Sequence, residues 1–360
     1  MNINNNTLNK SKELAEKLRF SYEKQDLNFI NHNKPADDHR KFNLEETLLV
    51  AKKLTPKIYD TIEKVKNTLY IPDGIIEVFI KSSHEMNAHA FSIHSEHCGI
   101  VINSELIENL ESDELKFVIG HEIGHFLLDH VRTLQNDKGD NIETLKQKRA
   151  QEISCDRIGL WACGDINIAL STIVKQISGL KKEQLGKNAL SFFNQIKEIG
   201  KNSSFDRSNE THPPWFIRGL SLFHFSTTDF FIRKDLKSYK QKQVEDVDKR
   251  IENLLSSHID NFANYRINKI KENYQFWYTT NFFLEDKKLS KSEQDLIRKR
   301  FGDDKLKRLK NILKEYSREE AKDFILAKLS KTEKDLNSSI PNEFSQIKRE
   351  IEDFCNSNIH

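Results

Sequence analysis

Apolar positions fall at helical spacing from Leu44 to Tyr70, then shift to a short run of β-branched character from Gly74 to Ile80. Gly99 to Asn103 (Gly-Ile-Val-Ile-Asn) predicts a second short strand, and a turn-rich segment separates the two. Ser112, followed by Asp113 and Glu114, has the acidic first turn of a helix. The run that follows, to about His130, is apolar almost all round (Leu115, Phe117, Val118, Ile119, Ile123, Phe126, Leu127, Leu128), which predicts a buried helix. A further helix is predicted from Ile142 to Ala162; Gly164 closes it and Asp165 starts the next. No proline occurs between Pro214 and Pro341, and Val247, Ile251, Leu254 and Leu255 recur at helical spacing, so the last third of the chain reads as all-α.

The pattern predicts an α+β, predominantly helical protein. An N-terminal tail and helix occupy 1–43, a domain with a small β-sheet 44–228, and an all-α C-terminal region 229–360. The Asn-rich first dozen residues are expected to fray. With 360 residues the chain can bury a sizeable core and carry a second unit. Charged residues make up 31% of it and the mean hydropathy is -0.68, which describes a heavily solvated surface. A formal charge of +2 is too small for an electrostatic footprint on nucleic acid. Met1 to Lys17 lacks the apolar core of a secretory signal, and no run of about 18 apolar residues exists. Cys98, Cys155, Cys163 and Cys355 form no Cys-x-x-Cys pair. These features predict no integral membrane association, free thiols and a cytoplasmic location.

Chemistry concentrates in His121-Glu122-Ile123-Gly124-His125, an H-E-x-x-H sequence in the middle of the buried helix. At i and i+4 the imidazoles leave one face of a helix, close enough to share a metal ion. Glu122 lies about 100° around, where its carboxylate reaches a water beside the metal without ligating it. Hydrogen-bonded core histidines are the plainer reading, but two histidines and a glutamate are costly to bury without partners. A catalytic zinc site needs a third protein ligand and one open position. Glu152, on the next helix with Asp156 at i+4, is the candidate, against the plainer reading of a solvated acidic face. His89, His94, His97 and Cys98 are also metal-capable and read as a polar strand and loop near the cleft. Lys287 to Glu293, after Glu285-Asp286, lacks the alternating carboxylates of a calcium loop and reads as a helix start, with Ser292 near its cap. The basic runs Arg298-Lys299-Arg300 and Lys305 to Lys310 read as solvated helix faces, and Phe276-Trp277-Tyr278 with Phe282-Phe283 as core.

Residues from about 50 to 225 resemble the HtpX-like metallopeptidases, a gluzincin-type zincin family that also holds the CAAX prenyl proteases. Asn87-Ala88-His89-Ala90-Phe91 resembles its Asn-Ala segment, and Ile100 to Leu106 its strand and following turn. His121 to His125 resembles its zinc helix, Glu152-Ile-Ser-Cys-Asp156-Arg157 its Glu-x-x-x-Asp-Arg element, and Thr211-His212-Pro213-Pro214 with Arg218 its His-Pro element. The resemblance implies one Zn2+ per chain held by His121, His125 and Glu152, with Glu122 as base and His212 stabilising the oxyanion. It implies Asp156 and Arg218 as supporting groups, and Asn87, Ala88, Gly99, Ile100 and Val101 along a bound peptide that pairs with an edge strand. Cys155 stands where the family usually has alanine, and many relatives have transmembrane helices that this chain lacks. The implied function is a zinc-dependent endopeptidase acting on extended or unfolded polypeptide, with the C-terminal helices available to a protein partner. The rivals are an anti-repressor-type regulatory metallopeptidase, which fits Asp156-Arg157 and the His-Pro-Pro element less well, and an inactive zinc-stabilised scaffold, against which the intact Glu122 argues.

Overall fold

The computed structural model describes residues 5–23, 36–94, 97–133, 141–186, 189–195, 199, 206–284 and 289–358. The described residues are mostly helical with one four-stranded sheet, as the α+β reading expects. The order begins α1 (Asn5–Leu18), α2 (Ala36–Glu46), β1 (Leu48–Leu49), α3 (Pro56–Thr68), β2 (Ile76–Lys81), β3 (Ala88–His94) and β4 (His97–Asn103). It continues α4 (Ser104–Asn109), α5 (Ser112–Leu127), α6 (His130–Thr133), α7 (Ile142–Cys163), α8 (Ile166–Ser178), α9 (Trp215–Ser226), α10 (Asp229–Arg233) and α11 (Gln241–Leu255). The remaining helices are α12 (Asn261–Phe283), α13 (Lys291–Phe301), α14 (Asp303–Glu315), α15 (Arg318–Ser339) and α16 (Pro341–Asn356). None of the described helices is long and apolar enough to cross a membrane.

The strand order is β1-β2-β4-β3. β4 pairs in parallel with β2 (Val78 opposite Ile100) and antiparallel with β3 (Ala90 opposite Ile100). It is therefore an interior strand, and β3 lies at the sheet edge. α5 packs on the sheet through Ile119 and Ile123, in a core shared with Ile100 and Ile102 of β4 and Val65 of α3.

Four local readings are corrected by the structure. The helix predicted over Leu44 to Tyr70 is broken by β1, and α3 begins at Pro56, because proline fits the first turn of a helix and not its interior. The turn-rich segment after β2 contains β3, whose alternation is blurred by His89 and Ser92. The helix expected to run through His130 stops at Leu127, where Asp129 takes a left-handed conformation (φ 62°) and α6 starts afresh. Of the first dozen residues, expected to fray, 1–4 lie outside the described ones, while α1 begins at Asn5 and buries Leu8 and Ser11.

Contacts divide the described chain into two compact units, one of 5–133, 146–199 and 210–258, the other of 141–145, 206–209 and 259–358. Residues 229–258, grouped by the sequence with the C-terminal helices, pack within the first unit, where Asp248 of α11 accepts a hydrogen bond from Arg157 of α7. In the second unit Phe276, Trp277, Phe283, Ile297, Leu309 and Ile325 form one cluster, and Tyr274, Leu336, Ile347 and Ile351 another. Residues 285–288, part of the segment weighed as a calcium loop, lie outside the described residues. The helix after them is capped by Ser290, whose side chain pairs with Glu293 in a capping box.

Candidate metal centre

Small residues let α5 and α7 approach closely. A β-carbon at Gly120 would lie 2.5 Å from Ala162 Cβ, one at Gly124 3.1 Å from Cys155 Cα, and one at Gly159 2.6 Å from the Phe117 carbonyl oxygen. Backbone therefore meets backbone along a seam where larger residues cannot fit, and Cys155, fully buried on it, is small enough to be accepted. The seam places one turn of α7 against the His-Glu-x-x-His turn of α5. Gly159→Ala is expected to force the helices apart, lowering stability by about 1–3 kcal/mol and weakening metal uptake with it. Thermal unfolding with and without zinc reads both effects, and an unshifted melting temperature with unchanged uptake would show the seam to be slack.

Across this seam His121 Nε2 and His125 Nε2 lie 3.2 Å apart. Glu152 Oε2 is 3.5 Å from the first and Glu152 Oε1 3.4 Å from the second. The three side chains form one of two potential metal-holding groups among the described residues. The second group is His125, His130 and Cys155. His212, in the loop before α9, brings Nε2 to 3.6 Å from Glu152 Oε1 while its side chain stays 63% exposed. Thr211 Oγ1 lies 2.8 Å from His212 Nδ1.

Proton placement explains why this donor set suits a cation. His121 Nδ1 is 3.0 Å from Asp156 Oδ1, and a carboxylate only accepts, so the ring proton sits on Nδ1 and the Nε2 lone pair faces the cleft. Asp156 is itself held by Arg218, whose Nε and Nη2 donate to its two oxygens at 2.8 and 2.6 Å. Lone pairs of two imidazoles and a carboxylate thus converge with nothing to share. A proton can take the place of a cation at the His121 Nε2 lone pair: burial opposes charge on His121, yet Asp156 and Glu152 outweigh it and raise its pKa to about 10. A bound ion would displace this proton. A centre that favours positive charge so strongly, built from two nitrogens and a carboxylate, fits a zinc ion.

Glu122 is buried and lines the cleft. Its carboxylate makes no hydrogen bond among the described residues. The cleft, about 380 Å³, is walled by Asn87, Ala88, His89 and Ala90 of the β3 region, by Phe117 and Val118 of α5, and by Gln151, Gln176, His212 and Arg218. Gly99, Ile100 and Val101, expected along a bound peptide, are not among its walls. They lie buried on β4, whose main chain is paired on both sides, and Gly99 is where the Phe91 ring covers the neighbouring strand, leaving no room for a β-carbon. The exposed edge belongs to β3.

Of the other metal-capable cluster, His89 lines the cleft, while Cys98 is a buried thiol whose pKa burial pushes up; neither belongs to a metal-holding group among the described residues. The side chain of His94 lies outside the described ones. Sequence reasoning missed His130, whose Nδ1 is 3.1 Å from His125 Nδ1. Its signal was a histidine five places after the motif on a buried stretch.

Residues 52–145 match Peptidase family M48. The segment carries β2 to β4 and the His-Glu-x-x-His helix, so the resemblance to HtpX-like metallopeptidases is borne out there; Glu152, Asp156, His212 and Arg218 lie beyond it. Among curated proteins the chain is similar to the plastoglobule-localized metallopeptidase 48 of Arabidopsis thaliana, 25% identical over 51% of this chain and 56% of that protein. It is also similar to a protease HtpX homolog of Listeria welshimeri, 31% identical over 21% of this chain and 25% of that protein. The chain thus spans about half the length of the first relative and a quarter of the second.

Proposed function

We propose that this protein is a zinc-dependent endopeptidase that hydrolyses extended or unfolded polypeptide. The observation that carries the reading is the convergence of His121 Nε2, His125 Nε2 and Glu152 at 3.2–3.5 Å beside Glu122, whose carboxylate makes no hydrogen bond among the described residues. His121, His125 and Glu152 would hold the ion, which supplies Lewis acidity that acidifies water and polarises a carbonyl. Glu122 takes the proton of the attacking water and passes it to the departing amine, a transfer that breaks no hydrogen bond among the described residues. His212, exposed and next to Glu152, donates to the oxyanion as its charge develops. Asp156 and Arg218 keep His121 in the tautomer that leaves its Nε2 lone pair free. Asn87 and Ala88 meet the substrate, which pairs main chain to main chain with the β3 edge.

Polypeptide is the substrate class this arrangement suits, and four cysteines without a disulfide suit a reducing compartment such as the cytoplasm. A partner docking on the C-terminal helices remains part of the same proposal. Dialysis against a strong chelator is expected to abolish cleavage of an internally quenched peptide, and added zinc to restore it. Full activity in the presence of chelator would end the zinc reading. Zinc uptake without any hydrolysis of casein or peptide would favour the scaffold.

A further inference from the structure

Each imidazole of the centre has a carboxylate behind it, but by different routes. For His121 the carboxylate is Asp156, in direct contact. For His125 the route runs through a second ring. The left-handed turn at Asp129 folds His130 back against His125, with ring centroids 5.2 Å apart and the two Nδ1 atoms at 3.1 Å. On its far side His130 Nε2 lies 2.9 Å from Glu23 Oε1. A carboxylate only accepts, so Nε2 of neutral His130 carries the hydrogen and its Nδ1 is an acceptor. Cys155 Sγ also lies 3.5 Å from that Nδ1, but the His125 contact is the shorter, and it is a hydrogen bond when the His125 ring hydrogen lies on Nδ1, which leaves the Nε2 lone pair facing Glu152 and His121.

Glu23 is delivered to this place by a strap after α1 that is tied at several points. Phe20 N donates to Ser154 Oγ (2.9 Å), Ser21 N donates to Asp248 Oδ2 (2.8 Å), and Glu23 N donates to Phe20 O (2.9 Å). Arg19 Nη1 donates to Glu23 Oε1 at 2.7 Å, and Ser154 Oγ donates to Oε2. Ser154 sits on α7 between Glu152 and Asp156. Glu23 is 6% exposed, and a carboxylate so buried is retained at a cost that the packing of Phe20 and Leu18 does not require.

We propose that Glu23 is a positioning residue of the metal centre, acting through His130 to fix the tautomer and ring orientation of His125. The inference rests on reading His121, His125 and Glu152 as zinc ligands. Hydrogen-bond partners behind a ligating histidine typically change metal affinity by 10–100-fold when removed.

The test uses the full chain, with zinc affinity from competition against a fluorescent chelator and the visible absorption of the Co2+-substituted protein. Glu23→Gln is expected to bind zinc about 10–100-fold more weakly and to shift the Co2+ bands. His130→Gln, which interrupts the route at its middle, is expected to do the same, and decides the matter if Glu23→Gln does not fold. Phe20→Leu thins the strap without removing a hydrogen bond; it is expected to lower the melting temperature while leaving affinity and spectrum as they were. Wild-type affinity and spectrum in Glu23→Gln and His130→Gln would overturn the proposal. So would an equal spectral shift in Phe20→Leu, which would make the strap merely structural, or a second zinc equivalent, which would assign His125, His130 and Cys155 to an ion instead. A wild-type chain that takes up neither zinc nor Co2+ would overturn the underlying metal reading as well, which separates the two failures.

Discussion

Glu122→Gln is expected to bind zinc as the wild type does and to cleave peptide at least about a hundredfold more slowly. The side chain keeps its length and shape, and no hydrogen bond among the described residues depends on its carboxylate, so neither fold nor ligands should respond. What is lost is the ability to accept a proton, because an amide oxygen is far less basic than a carboxylate. Steady-state kinetics on a quenched peptide, with zinc content measured on the same preparation, separate the two consequences. Wild-type turnover in this variant would remove Glu122 as the base and leave His89 or His212, which line the same cleft, to be tried in its place.

Glu152→Ala is expected to fail at the earlier step. Among the described residues Glu152 is the one carboxylate that reaches both Nε2 atoms, at 3.5 and 3.4 Å, and it crosses from α7 to do so. Without it two imidazoles remain on one helix face, and zinc affinity should fall by more than the roughly 10–100-fold that loss of an outer hydrogen-bond partner costs. Purified protein should then carry well under one zinc per chain, and activity should track the residual metal. Stoichiometric zinc after gel filtration would show that a different side chain completes the donor set. The pair of variants is informative together: one predicts metal without turnover, the other little of either.

Much of this centre was legible because its signals are local. The i, i+4 spacing of His121 and His125 is set by helix geometry, and Glu-x-x-x-Asp places Glu152 and Asp156 on one face of α7 by the same rule. Asp156 and Arg218 were expected from resemblance only as supporting groups, and the structure pairs them at 2.6 Å. What was not legible depends on chain reversal. β4 was placed along the bound peptide by resemblance, yet its apolar character reflects pairing on both sides, and the more polar β3 takes the edge. Glu23 and His130 stand far apart in sequence and meet only because a left-handed residue at Asp129 breaks a helix that hydropathy would have continued. The glycines of the seam were visible as letters, but their purpose appears only when the opposing backbone is in place. The boundary near 228 followed a change in composition, whereas α11 joins the first unit through Val244 in its core and through Asp248, which accepts from Arg157 and from Ser21 N, contacts that no periodicity announces.

The seam between α5 and α7 has one more consequence. Its small residues give the two helices little side-chain interlocking, and the proposed ligands sit on opposite banks of it. Whatever ion they hold works as a rivet across the joint, and its binding free energy adds to the fold by mass action. Scarcity of the metal would then do more than silence the proposed activity: it would leave the first unit more open to unfolding and shorten its lifetime, so that one nutrient would set both how fast each molecule works and how many molecules persist.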